Sequence, residues 1–141
     1  MPRLAAATCR RLIAAARHGV LATAGETHPH QVPIVYAIDG DTLVTAVDHK
    51  PKSTTDLTRA ANLARNPRCS VLVEHYDDED WDRLWWVRID GNGAIDGSPT
   101  AVAAAGRLLA RQFPQYLQQP PQGPVVTIAI ERLVGWAAVA P

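Results

Sequence analysis

Two strand-like runs, residues 31–38 and 42–47, meet at Asp39-Gly40-Asp41. Asp-Gly between apolar runs is a strong hairpin signal, because glycine accepts the positive φ that a tight turn requires. That turn commits the middle of the chain to antiparallel pairing. Further short apolar runs recur at 20–23, 68–76, 84–89, 125–129 and 134–139, the last two readable as one long strand. Asp90-Gly91-Asn92-Gly93 reads as a turn or bulge after the run at 84–89. Helical segments punctuate these runs. Residues 4–17 are rich in alanine and stop at His18-Gly19, and Ser98-Pro99 supplies a cap and a first-turn proline for a helix to about Gln112. Residues 113–123, rich in Pro and Gln, form an irregular connector. Six or seven mostly hairpin-linked strands with few helices predict a mainly β fold with some α. The expected form is an antiparallel barrel, closed or partly closed, with helices packed outside.

The chain has 141 residues, enough for one domain, taken as 1–141, with a real core. Its 14 basic and 14 acidic residues cancel. A neutral chain carries no electrostatic footprint for nucleic acid or a membrane surface. The tryptophans at 81, 85 and 86 accompany the acidic loop 77–82, not a basic groove, which also argues against nucleic acid. No apolar run is long enough to span a bilayer, and the start is too weakly apolar for a signal peptide. Cys9 and Cys69 make no metal or redox motif and read as buried thiols of a reducing cytoplasm. His28, His30, His49 and His75 lack a tight ligand spacing, so no metal is expected.

One local departure from neutrality carries the functional signal. Between His49 and Arg68, the cations Lys50, Lys52, Arg59, Arg65 and Arg68 face a single acid, Asp56. A basic loop entering a helix capped by Ser53 or Thr54 can hold an anion on helix N–H groups and lysines together. A local cluster on a neutral chain suits one specific anion better than a polyanion. No Ser/His/Asp set, nucleophile elbow, P-loop or GxGxxG is present. That pattern suits chemistry carried by a cofactor, with Tyr36 and His75 as candidate proton donors and no catalytic residue assigned. Trp85 and Trp86 are neighbours on a strand and must face opposite ways. From the residues alone, either could line a site.

Several segments in order resemble the pyridoxamine 5′-phosphate oxidase-like split-barrel family. They are Arg17-His18-Gly19-Val20-Leu21-Ala22-Thr23, His30-Gln31-Val32-Pro33-Ile34-Val35-Tyr36, Val47-Asp48-His49-Lys50-Pro51-Lys52, Asn62-Leu63-Ala64-Arg65-Asn66-Pro67-Arg68-Cys69-Ser70-Val71-Leu72-Val73 and Arg83-Leu84-Trp85-Trp86-Val87-Arg88-Ile89-Asp90-Gly91. More narrowly, they are similar to the deazaflavin branch that uses coenzyme F420. The resemblance implies a six-stranded antiparallel split barrel with flanking helices, assembled as a homodimer with two cofactors in grooves at the interface. It implies that Gln31, Val32, Pro33 and Ile34 lie along the ring system, flanked by Thr45, Ala46 and Val47. It implies that Lys50, Lys52, Ser53 and Arg59 take the phosphate, and that Trp86 reaches the cofactor from the facing strand or the other subunit. The implied activity is hydride transfer between deazaflavin and a small organic substrate. FMN-dependent redox chemistry on the same fold and a non-catalytic deazaflavin carrier are the alternatives.

Overall fold

The structure, a computed structural model, describes residues 3–47 and 54–141. Seven strands form one antiparallel sheet in the order β2-β1-β5-β6-β7-β4-β3. They are β1 (Gly19–Ala24), β2 (Pro29–Ile34), β3 (Ala37–Asp39), β4 (Thr42–Ala46), β5 (Arg68–His75), β6 (Trp85–Asp96) and β7 (Val125–Ala137). The helices are α1 (Ala6–Ala15), α2 (Thr54–Arg65), α3 (Pro99–Gln112) and the short α4 (Gln115–Gln118). A single 3-10 turn, Trp81–Arg83, precedes β6. No helix among the described residues is long and apolar enough to cross a membrane.

The expected six-stranded barrel is corrected to a seven-stranded open sheet. The run at 31–38 does not continue as one strand. It breaks at Val35-Tyr36 into β2 and β3, which take opposite edges of the sheet. Only two residues separate these edges, so Ile34 and Ala37 are at most about 11 Å apart. The sheet must therefore curl until its edges converge at that corner, although no ladder closes it. Two side chains fix the corner. The Tyr36 hydroxyl donates to the Ile13 carbonyl at 2.7 Å, and Thr45 Oγ1 donates to the Val35 carbonyl at 2.7 Å. Both residues are buried.

The turn at Asp39-Gly40-Asp41 forms as expected, with Gly40 at φ 59°. Arg10 of α1 clamps it, donating to the Gly40 carbonyl and pairing with Asp41. Of the turn or bulge expected at Asp90–Gly93 the bulge forms, within β6, which runs unbroken through the stretch. A register shift between Asp90 and Gly91 leaves Glu131 of β7 as the extra residue of a bulge. Ser98 caps α3, accepting from the Ala101 N–H at 3.3 Å.

Strand alternation sorts the core. Leu21, Val32, Ile34, Leu43, Val71, Val73, Val87, Ile89, Val126 and Ile128 turn inward with Cys9 and Ile13 of α1 and Leu63 of α2. A second cluster seats Ala105, Leu109 and Phe113 of α3 and its C-terminal turn on Ala37, Val44 and Val125. Thus β4 is buried on both faces, Leu43 toward one cluster and Val44 toward the other. Gly93 lets α2 dock on β6, since a Cβ there would lie 2.9 Å from Leu63 Cδ2. Both cysteines are free and buried.

Candidate functional site

The residues that alternate with the core build one continuous outward face across β2, β1, β5, β6 and β7. One row across it reads Pro33, Val20, Leu72, Arg88 and Val134; the next reads Gln31, Ala22, Ser70, Asp90 and Arg132. A third row begins at Glu74 and continues through Trp86 to Trp136. None of these side chains is fully buried.

Two grooves open on this face. The first, of about 450 Å³, is lined by Leu72, Glu74, Tyr76, Trp86, Arg88 and Trp136, with His75, Leu84 and Trp85 at its margin. Five large apolar side chains stand exposed among the described residues. Three of them, Leu72 (42%), Tyr76 (56%) and Trp81 (67%), belong to this end of the molecule. The second, of about 810 Å³, is lined by Thr23, Asn66, Arg68, Ser70, Asp90, Asn92 and Glu131 among others, with Cys69 beneath it in the core. Its charges largely satisfy one another. Asp90 accepts a fork from Arg88, Nε at 2.8 Å and Nη2 at 3.0 Å, and Asn92 donates to Glu131. Burial pushes the Cys69 thiol up to about 11, with the Asp90 carboxylate adding to the shift, so it stays protonated at neutral pH.

The structure distributes the sequence-predicted site residues unevenly. Gln31 and Pro33 are exposed on the outward face, whereas Val32 and Ile34 point into the core. Pro33 sits on an edge strand, where its missing N–H leaves no ladder bond unmade. Thr45 is buried and spends its hydroxyl on the Val35 carbonyl, whereas Ala46 pairs with Val125 and the Val47 N–H donates to the Pro124 carbonyl. Of these residues, Thr45 is tied to the corner directly, through its bond to the Val35 carbonyl one residue past Ile34. Arg59 is 5% exposed, on the inward side of α2 with Asn62 and Leu63, and is no solvated face. Asn62 donates to Thr23 Oγ1 at 3.0 Å and accepts from Arg65 at 2.8 Å. Lys50, Lys52 and Ser53 lie outside the described residues.

Trp85 packs against the core and stacks on His75, with ring centroids 6.4 Å apart, while Trp86 turns outward. Between β2 and the Trp86 strand β6 lie three ladder spacings, about 14 Å measured along the sheet. Tyr36 is set aside as a proton donor, because the residue is 2% exposed and its hydroxyl is bound to Ile13 and raised well above its ordinary value by burial. Sequence reasoning passed over Leu72, Arg88 and Trp136. Alternation along each strand would have put all three outward, but only the β6–β7 register joins Trp136 to Trp86. No group of three potential metal ligands occurs among the described residues.

Comparison with known proteins identifies the fold. The pyridoxamine 5′-phosphate oxidase family matches residues 5–137. The chain belongs to that family. Among solved structures, a conserved hypothetical protein from Mycobacterium tuberculosis is 25% identical, with a TM-score of 0.75 over 96% of this chain and 86% of the other. An FAD-binding protein from Mesorhizobium loti is 22% identical, with a TM-score of 0.64 over 95% of each chain. The FAD binding protein from Mycobacterium smegmatis is 16% identical, with a TM-score of 0.67 over 96% of this chain and 98% of the other. Among curated proteins, none matches this chain.

Proposed function

We propose that this chain is a homodimeric oxidoreductase that binds coenzyme F420 and exchanges hydride between its deazaflavin ring and a small organic acceptor. The observation that carries the reading is the outward face itself. A family member with a curled sheet presents an edge strand bearing exposed Gln31 and Pro33 and, about 14 Å away, an aromatic groove that its own chain leaves uncovered. The relatives described as FAD-binding support a flavin-type cofactor on this fold.

The residues fit a flat ring. Pro33 and Gln31 project from β2 beside the small side chains of Val20 and Ala22, a level surface. The ring, when bound, supplies the hydride chemistry; the chain places it and keeps water away. Trp86 of a second copy, three strands from β2 in its own chain, walls the ring. Covering Leu72, Val134 and the tryptophans also removes an apolar surface that a lone subunit would expose. Arg59, with Lys50, Lys52 and Ser53, holds the phosphate. Arg68, at the polar groove, extends the basic track beyond what a terminal phosphate needs and favours the longer phosphodiester tail of the deazaflavin over FMN.

Titration of the purified protein with coenzyme F420 and with FMN, followed by absorbance, tests the assignment. The expected result is deazaflavin binding about tenfold tighter or more, the difference that one additional charge-assisted contact makes. Equal or tighter FMN binding overturns it.

A further inference from the structure

Helix α2 meets the sheet through Arg59, Asn62 and Leu63, all buried and at the i, i+3, i+4 spacing of one helix face. Leu63 lies over Gly93 in the cluster that holds Cys69. Such apolar packing is non-directional and absorbs a small turn of the helix about its axis. Asn62 does not absorb one. Its Nδ2 donates to Thr23 Oγ1 of β1 at 3.0 Å, and its Oδ1 accepts from Arg65 at 2.8 Å. Arg65 in turn reaches the Ala24 carbonyl at 3.4 Å. Thr23 and Asn62 are 4% and 2% exposed, so water replaces neither partner. A buried amide stabilises only while its bonds are made. A leucine of similar size would fill position 62 without that demand. What the amide adds is direction, because its bonds to Thr23 and Arg65 are made at one rotation of α2. Arg59 stands one turn earlier on the same side, so that rotation also decides where its guanidinium is delivered. Charge-assisted contacts depend steeply on length and angle.

We infer that Asn62 is a positioning residue for the phosphate contact: bridging Thr23 and Arg65, it sets the rotation of α2 at which Arg59 meets the anion. This rests on the proposed function only in assigning Arg59 to the phosphate, and it holds whichever ring the phosphate belongs to. Two ligand pairs isolate the phosphate. FMN and riboflavin differ in it alone; coenzyme F420 and its 8-hydroxy-5-deazariboflavin core differ in the tail that begins with it. Both pairs are titrated against purified protein. The ratio of phosphate-bearing to phosphate-free affinity is read in the ring series that the parent chain binds more tightly.

Arg59→Ala is expected to lower that ratio about tenfold, the loss of one charge-assisted contact. Thr23→Val combined with Asn62→Leu removes the bridge and leaves apolar groups of matched size, a replacement close to neutral in stability. The pair is expected to lower the ratio about fivefold, the effect of a contact weakened rather than removed. The affinity of the phosphate-free form and the melting temperature are expected to stay near those of the parent. In an Arg59→Ala background the same pair is expected to change the ratio no further, because the bridge acts through Arg59. Thr23→Ser, which keeps the hydroxyl, is expected to hold the parent ratio, and Thr23→Val against Thr23→Ser carries the comparison if the paired variant does not fold. An unchanged ratio in the paired variant, an equal loss for both ligand forms, or a further fall in the Arg59→Ala background overturns the inference and leaves the deazaflavin reading standing. An Arg59→Ala ratio equal to that of the parent overturns the phosphate assignment, and the inference with it.

Discussion

The two ends of the outward face share the same strands, the same pleat and the same distance from the core, yet they differ in what they leave unsatisfied. At the Ser70 end, carboxylates, amides and a guanidinium pair among themselves: Arg88 with Asp90, Asn92 with Glu131. At the Leu72 end, two residues further along β5, the outward groups are the exposed Leu72 and Tyr76 and the half-buried Trp86 and Trp136, which water serves poorly. The first end has its carboxylates paired. The second gains free energy from whatever covers it. A shift of two residues along a strand keeps the face and changes the demand, so backbone geometry alone does not mark the functional end.

Substitution at matched positions tests this difference most strongly. Leu72→Asp places a charge where an apolar side chain is to be covered, at a cost of about 3 kcal/mol of association, or roughly a hundredfold in dimer affinity. Ser70→Asp, on the same strand and face, is expected to shift it by less than about tenfold. Sedimentation of the two variants decides the matter: equal effects would mean that the aromatic end is not the seal.

Within the aromatic end, the adjacent tryptophans separate packing from binding. Trp85→Ala removes a ring packed on the core and is expected to cost about 3 kcal/mol of stability. Trp86→Ala is expected to cost about 1 kcal/mol but to weaken cofactor binding more than Trp85→Ala does. Paired melting and titration measurements check this, and the reverse pattern would place the site on the Trp85 side.

The smallest effect lies beneath the polar end. Burial raises the Cys69 thiol from 9.0 to about 11, so the folded chain keeps its proton over a range in which the unfolded chain loses it. Stability from this group is fully present below pH 9.0 and is lost as pH rises toward about 11. Denaturation midpoints across that window are expected to fall less in Cys69→Ala than in the parent chain. Parallel slopes would show that the polar groove admits enough water to leave the thiol unperturbed.

Local signals in the sequence were legible. The Asp39-Gly40-Asp41 turn and the Ser98-Pro99 helix start depend on residues within reach of one another, and both form as read. The strand break at Val35-Tyr36 was not legible, because nothing in residues 31–38 disfavours continued extension. It is imposed by Ile13 and Thr45, distant in the chain or on a neighbouring strand. The Asp90–Gly93 stretch was readable as a turn or a bulge and takes the bulge, where its glycines serve close approach: a Cβ on Gly91 would lie 2.3 Å from the Ala129 carbonyl oxygen. The inward orientation of Arg59 was hidden for the same reason, since it depends on which side of α2 faces the sheet. Opposite orientations for Trp85 and Trp86 followed from alternation; which of them faces the core depends on register.

The two-residue link at Val35-Tyr36 also shapes how the chain must assemble. Strands β2 and β3 are close neighbours along the chain and the farthest apart around the sheet. Each hairpin, β1–β2 and β3–β4, is a local event that needs no distant partner. Joining them is not local, because the ladder path from β2 to β3 runs through β1, β5, β6, β7 and β4, and its step of greatest sequence separation, β7 to β4, pairs Thr42 with Ala129. Loop entropy must be lost before that pairing returns any free energy. The curl is therefore a late event, and Tyr36 meets Ile13 only when the C-terminal strand has come back to capture β4.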